Sequence, residues 1–362
     1  MTKPIIIHLV AAARPNFMKV APLWHALNAA PDFTPVLIHT GQHYDANMSD
    51  AIFADLRLGK PDYHLGVGSG SHAEQTGNVM IAYEKIALEH RPDWLIVVGD
   101  VNSTLACALT AAKLHIPVIH LEAGLRSGDR AMPEEINRLA TDAICDVLWT
   151  PSPDGDAHLL AEGCDPARIT RVGNIMLDSY ELVRPAIAAA SGDVPSGAYG
   201  VVTLHRPSNV DENEPLEHLV NALIETQKQL PLIFPAHPRT AKRLAETGGD
   251  ARLNAAGITL GTPLPYIKFM ALVSNAAAVI TDSGGIQEET TYLGIPCLTL
   301  RENTERPITI SEGTNQLVTT TTLPIALTAA LSTPKSERAR PEFWDGQTAA
   351  RCITDLRRRM AL

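Results

Sequence analysis

Short apolar runs dominate the chain, each closed by Gly, Pro or a charged residue and followed by a longer stretch with helical spacing. The runs at 5–10, 36–40, 94–98, 117–121 and 147–150 predict buried parallel strands. Helices are predicted at 17–29, 72–89, 103–114, 134–144 and 153–162. Such alternation implies right-handed βαβ units and a sheet covered on both faces. The pattern weakens over 183–200, where Pro185, Gly192, Pro195 and Gly197 stand among alanines, as expected of an interdomain linker. A second series follows, with strands at 200–204, 232–236, 258–260, 277–281 and 295–300 and helices at 216–229, 265–274 and 286–293. The expected fold is therefore α/β, with two Rossmann-like halves. A closing segment, 347–360, reads as a helix whose Arg357-Arg358-Arg359 end suits the negative pole of its dipole.

The 362 residues allow two domains, each able to bury its own core. With 45% hydrophobic and 19% charged residues, the composition is that of a soluble enzyme, and no apolar run approaches the roughly 18 residues of a membrane span. A net charge of −10 argues against general nucleic-acid binding, which needs many cationic contacts to the phosphate backbone. A phosphate-bearing small molecule remains compatible, because a helix N-terminus or a few local cations can hold it. The five cysteines (Cys107, Cys145, Cys164, Cys297 and Cys352) are odd in number and scattered, a pattern of reduced thiols in a cytosol. Lys3 and the apolar stretch ending in Ala11-Ala12-Ala13 imitate a signal peptide. His8 within that stretch, and its unbroken passage into Arg-Pro and a helix, favour a first strand instead.

In an open parallel sheet, ligands bind beyond the carboxyl ends of the strands. Polar residues stand there repeatedly: Arg14-Pro15-Asn16 with Lys19, Gly99-Asp100, Glu122 to Arg126, His205-Arg206, His237, and Asp282-Ser283-Gly284-Gly285. Each also has a purely structural reading. Asp100 could cap a helix, Glu134 and Glu135 could complement a first helical turn, and His237 could anchor a loop. Arg306 could simply pair with Glu305. The segment from Thr281 to Glu289 is the most informative, because a strand running through Ser-Gly-Gly into a helix bares N–H groups to a diphosphate. Glu289, six residues on from Ser283, could meet ribose hydroxyls.

Taken together, Arg14-Pro15 with Lys19, Gly99-Asp100, His120 to Arg126, Pro133 to Arg138, Asp282 to Glu289 and Thr304 to Pro307 resemble, in order and over nearly the whole chain, the motifs of the non-hydrolysing UDP-N-acetylglucosamine 2-epimerases. The resemblance implies a GT-B architecture, two Rossmann-like domains with parallel sheets facing a deep cleft. Its divisions would be an N-terminal domain at 1–182, a linker at 183–198, a UDP-binding domain at 199–345 and a helix at 346–362 returning to the first domain. It also implies a cytoplasmic homodimer with no metal and no nicotinamide cofactor. The family reaction removes the proton at C2 as UDP departs, and UDP returns to the 2-acetamidoglucal after reprotonation on the other face.

By resemblance, Asp100, Glu122, Glu134 and His205 are the catalytic groups, with the base among the carboxylates unassigned. Arg14, Lys19, Ser283, Gly284, Gly285, Glu289 and Arg306 match nucleotide-binding positions, Arg206 joins the substrate-binding set, and Tyr266 stands where an aromatic residue packs against uracil. Asn16 and the run His205-Arg206-Pro207-Ser208-Asn209 depart from the usual forms, as do the surroundings of Gln42-His43. The nearest alternatives are the same chemistry on a UDP-2,3-diacetamido-glucuronic acid and a hydrolysing epimerase. A GT-B glycosyltransferase and a non-catalytic nucleotide-sugar sensor fit the clustered acids less well.

Overall fold

The computed structural model describes residues 3–12, 14–41, 53, 55–333 and 340–361, with Arg14 and Pro15 as backbone only; Gln42 and His43 lie outside the described residues. The chain divides into two compact units, Met1–Leu182 together with Glu342–Leu362, and Val183–Pro341.

The first unit is built on seven parallel strands: β1 (Ile5–Ala11), β2 (Phe33–His39), β3 (Tyr63–His64), β4 (Trp94–Val98), β5 (Val118–Leu121), β6 (Val147–Thr150) and β7 (Ile169–Arg171). Their order is β3-β2-β1-β4-β5-β6-β7, so the winding reverses between β1 and β4. The apolar runs become the inner strands because helices cover both faces, leaving no solvated side to select polar residues. The stretch that mimics a signal peptide is β1, paired to both β2 and β4 and buried along most of its length. The two edge strands β3 and β7 are too short and too polar to carry an apolar run.

The second unit holds six parallel strands: β8 (Gly200–Thr203), β9 (Leu232–Pro235), β10 (Thr259–Gly261), β11 (Ala278–Thr281), β12 (Cys297–Leu300) and β13 (Asn315–Val318). Their order is β10-β9-β8-β11-β12-β13, with the reversal between β8 and β11. Helices Asn213–Gln227 and Leu323–Ser332 close one core of this sheet through Leu216, Leu219, Leu223, Leu323 and Leu327.

The stretch read as a linker is helical as far as Ala190, in a helix that starts at Ile175 and contains Pro185. Its alanines favour helix strongly enough to absorb one proline. A short 3-10 helix, Ser191–Asp193, follows, and the bends begin only at Val194. No disulfide joins the five cysteines. Among the described residues no helix is long and apolar enough to cross a membrane.

The last helix, Thr348–Arg359, belongs to the first unit and is held at both ends by buried carboxylates. Asp178 accepts the N–H groups of Thr348 and Ala349 at 3.1 and 2.8 Å, capping its start. Near its end Asp355 accepts Trp149 Nε1 at 2.8 Å and Arg359 Nε at 2.7 Å. Asp355→Ala strands the buried indole N–H and should cost about 2 kcal/mol of stability. A urea midpoint unchanged from wild type would show that the helix is held by its apolar face alone.

Candidate active site

In the first unit β4 and β5 are neighbours in register, Val98 opposite Leu121, so Gly99-Asp100 and Glu122 emerge side by side at the carboxyl edge next to the winding reversal. Glu122 has φ 74, a left-handed conformation that a side chain with a Cβ rarely adopts. The Trp149 carbonyl accepts the N–H groups of both Glu122 and Ala123, at 3.1 and 3.0 Å, and so holds the bend. The carboxylate is buried. Lys19, from the helix after β1, donates to Oε2, while Oε1 is buried with no hydrogen-bond partner among the described residues. Gly99 is required beneath this pair, since a Cβ there would sit 3.3 Å from Glu122 Oε2 and 3.4 Å from Lys19 Nζ, on a backbone at φ +70. Asn16 donates to the Val98 carbonyl at 3.0 Å, so this departure from the family form anchors the first helix to β4.

Asp100 is not a helix cap. The cap position of the following helix is Val101, and the Asp100 carboxylate instead receives Arg138 Nε and Nη2 at 3.0 and 2.7 Å. Arg138 also donates to Glu135 at 2.7 Å, and Glu135 accepts the N–H groups of Ser127 and Gly128, each at 3.0 Å. Burial opposes ionisation of Glu135, but those N–H groups and Arg138 outweigh it and hold the carboxyl below its ordinary range. Helix Pro133–Ile144 therefore turns a polar face inward, burying Glu135, Asn137, Arg138, Thr141 and Asp142 while Ile136 is exposed. Glu134 is exposed in its first turn. The sequence reading placed Lys19 with the nucleotide; here it partners Glu122. The side chain of Arg14 lies outside the described residues.

In the second unit the reversal between β8 and β11 brings His205-Arg206 beside Asp282. Asp282 is fully buried, and accepts the N–H groups of His205 at 3.0 Å and Arg206 at 2.9 Å and the Asn209 amide at 3.0 Å. His205 Nδ1 lies 3.1 Å from Oδ1. Burial penalises the charge on Asp282, yet the donors from His205, Arg206 and Asn209 prevail and keep its carboxyl below the ordinary range. Asn209, within the run that departs from the family form, thus helps to hold Asp282. His237 accepts the Arg239 N–H at 3.3 Å and caps helix Pro238–Thr247, which is the structural role.

Helix Gly284–Leu293 starts immediately after Ser283, which makes no side-chain capping bond, leaving the first-turn N–H groups free of a side-chain cap. Arg306 lies over this turn: a Cβ on Gly284 would come within 2.9 Å of its Nη1, while Gly285 has open space. Arg306 forms an ion pair with Glu288 at 2.7 Å and approaches Glu305 at 3.8 Å, so its contact with Glu305 is the longer. Glu305 also binds Arg301 at 2.7 Å and Arg206 at 3.5 Å. Its burial would raise the carboxyl, but Arg306 and Arg301 pull it down to about 2. Tyr266, half-buried, donates its hydroxyl to Glu289 Oε1 at 2.7 Å. Burial, seconded by the charge on Glu288, pushes Glu289 up to about 7 against that hydrogen bond. An anion-binding turn with a cation above it is what a diphosphate needs.

Sequence reasoning named none of Glu135, Arg138, Asp142, Glu288 or the hub carboxylate Glu305 as a site residue, reading Glu135 only as a charge at a helix start and Glu305 only as a partner for Arg306. A signal existed for the first three, because positions 135, 138 and 142 share one helix face.

Residues 25–357 match the family model described as UDP-N-acetylglucosamine 2-epimerase. The chain is 39% identical to the UDP-N-acetylglucosamine 2-epimerase of Methanocaldococcus jannaschii over 97% of this chain and 98% of that one. The crystal structure of the M. jannaschii enzyme in complex with UDP-GlcNAc and UDP superposes with a TM-score of 0.86, over 97% of this chain and 99% of that one at 39% identity. The fold is thus GT-B-like. The UDP-2,3-diacetamido-2,3-dideoxy-D-glucuronate 2-epimerase of Pseudomonas aeruginosa is 36% identical over 96% of this chain and 97% of its own length.

Glu289 provides a direct check on the electrostatics. Its carboxyl is raised from 4.5 to about 7 on folding, so the folded protein binds this proton more tightly than the unfolded chain. The stability linked to that proton is complete below pH 4.5 and lost as pH rises through about 7, a loss of ~3 kcal/mol at most. Glu289→Gln, neutral at every pH, should therefore gain stability relative to wild type between pH 5 and pH 8. A stability difference that does not change across this interval would show that Glu289 is ionised in the fold.

Proposed function

The chain belongs to the UDP-N-acetylglucosamine 2-epimerase family, and on that premise we propose that it interconverts UDP-N-acetylglucosamine and UDP-N-acetylmannosamine, in the cytosol and as a homodimer. In this reading the C2 proton passes to a carboxylate as the C1–O bond breaks, the bonding pair leaving with UDP and a double bond forming between C1 and C2. Protonation of the 2-acetamidoglucal at C2 from the opposite face, with return of UDP to C1, gives the epimer. The relative whose crystal structure holds UDP-GlcNAc and UDP supports this choice of substrate.

The observation that carries the proposal is Glu122. One oxygen is occupied by Lys19, and the other is buried, without a hydrogen-bond partner among the described residues, at a left-handed bend that Trp149 fixes. A carboxylate so held is pre-aimed, which suits a group that takes a proton from carbon. Asp100, steadied by Arg138, and the exposed Glu134 supply further acids for the opposite face. His205, on Asp282, serves as a donor to the departing group. Arg306 and the turn at Ser283-Gly284-Gly285 hold the diphosphate, with Arg206 beside them, and neutralise the charge that grows on it. Glu289 and Tyr266 meet the nucleoside, and Arg14 joins the phosphate site by its place in the motif.

Phosphorus NMR of the protein incubated with UDP-N-acetylglucosamine should show conversion to a fixed mixture of two UDP-sugars, whereas steady accumulation of UDP would indicate a hydrolysing enzyme. Because the P. aeruginosa relative acts at the same carbon of a uronate, UDP-2,3-diacetamido-glucuronic acid is the comparison substrate, and preferential turnover of it would replace the proposed sugar. Glu122→Gln should lower turnover roughly a hundredfold or more with UDP affinity nearly intact in the folded molecules, and should lower the melting temperature because Lys19 loses its buried counter-charge. A stable variant of near-normal rate would remove Glu122 from the mechanism.

A further inference from the structure

Beneath the first-unit carboxylates lies a buried network with no part in the chemistry above. His120, two residues before Glu122 on β5, has both ring nitrogens engaged: Nδ1 is 2.6 Å from Asp142 Oδ1 and Nε2 is 2.8 Å from the Gly99 carbonyl. Asp142 Oδ2 accepts the Gly124 N–H at 3.0 Å and pairs with Arg126 at 2.8 Å. The side chains of His120 and Asp142 are each 1% exposed, so neither reaches a ligand directly.

The bonds of this network fall on the backbone around the two proposed catalytic acids. Gly99 immediately precedes Asp100, and its carbonyl is held by His120. Residues 120, 124 and 126 flank Glu122 on both sides, and all three are tied to one carboxylate. Glu122 needs such restraint, because a left-handed non-glycine residue costs of order 1 kcal/mol or more and persists only where its surroundings over-determine it. Gly124 is pinned from the other side as well: its φ is +80, a Cβ would strike the Gly155 carbonyl at 2.3 Å, and its own carbonyl meets His158 Nδ1 at 2.8 Å.

We propose that Asp142 and His120 are positioning residues which lock the Gly99-Asp100 turn to the Glu122 bend and so set the spacing of the two acids; this rests on the epimerase reading above. The hydrogen bonding is consistent with a rigid bridge. The Gly99 carbonyl only accepts, so Nε2 is the donor there, and the 2.6 Å contact between Nδ1 and Oδ1 is a second hydrogen bond. Although burial opposes ionisation of Asp142, His120 and Arg126 keep its carboxyl below the ordinary range. Two acids that come from different strands are thereby referred to one fixed point, and displacing either by about 1 Å is expected to cost roughly a hundredfold in rate.

The test compares wild type, Asp142→Asn, His120→Gln and His120→Phe, measuring kcat and KM with UDP-N-acetylglucosamine, UDP affinity and melting temperature. Gln can still donate to the Gly99 carbonyl, whereas Phe fills similar space with no donor. The expected result is a kcat lowered roughly tenfold to a hundredfold in Asp142→Asn and His120→Phe, with KM and UDP affinity within about twofold of wild type, and His120→Gln retaining more turnover than His120→Phe. A folded His120→Phe with kcat near wild type would overturn the proposal. So would losses that only follow the fraction folded, or failure of all three variants to fold, since the network would then be a folding element. Absence of turnover in wild type itself would instead overturn the reading of the reaction.

Discussion

Placing carboxylates and guanidinium groups in the low-dielectric edge of a parallel sheet costs several kcal/mol per charge unless opposite charges and hydrogen bonds go with them. This protein meets that constraint with partners recruited from several elements. Glu122 takes Lys19 from the first helix, Asp100 takes Arg138 from the helix that also supplies Glu135, and Asp282 gathers donors from His205, Arg206 and Asn209. Because each pair joins groups that are distant in sequence, the requirement to pair charges also draws together the ends of β1, β4 and β5 in one unit and of β8 and β11 in the other. The same requirement couples stability to function, since removing one partner leaves the other buried and uncompensated.

The two units meet their needs differently. In the first, carboxylates are braced by cations and by backbone N–H groups, and one oxygen of Glu122 is buried without a hydrogen-bond partner among the described residues. In the second, a helix starts without a side-chain cap beneath the Arg306 guanidinium, an arrangement that suits an anion, while burial pushes the Glu289 carboxyl up to about 7. An elimination requires both functions: a base for the C2 proton and stabilisation for a departing diphosphate.

Much of this was legible in the sequence. The strand runs at 94–98 and 147–150 and the helix at 72–89 coincide with the observed elements because periodicity and caps agree there, as in the Ser71-Glu74 capping box. The polar residues after the apolar runs fall at the carboxyl edges of the two sheets, because those runs are the strands. Two kinds of feature escaped. The edge strands β3, β7 and β13 lack the apolar runs that reveal inner strands. The helix Ile175–Ala190 was hidden by Pro185 and the loop-like composition around it. Partner identity escaped as well: nothing local to Lys19 announces Glu122, and Asp142 looks like an ordinary helical acid until the fold turns it inward onto His120.

The central claim is that the configuration at C2 is lost and remade through removal of its proton. Incubation with UDP-N-acetylglucosamine in heavy water, followed by proton NMR, tests it most directly. The account predicts deuterium at C2 in the manno product, with the gluco substrate pool acquiring the label as the reaction returns. A manno product that retains its original C2 hydrogen, or a substrate left unchanged under conditions in which UDP binds, would contradict it.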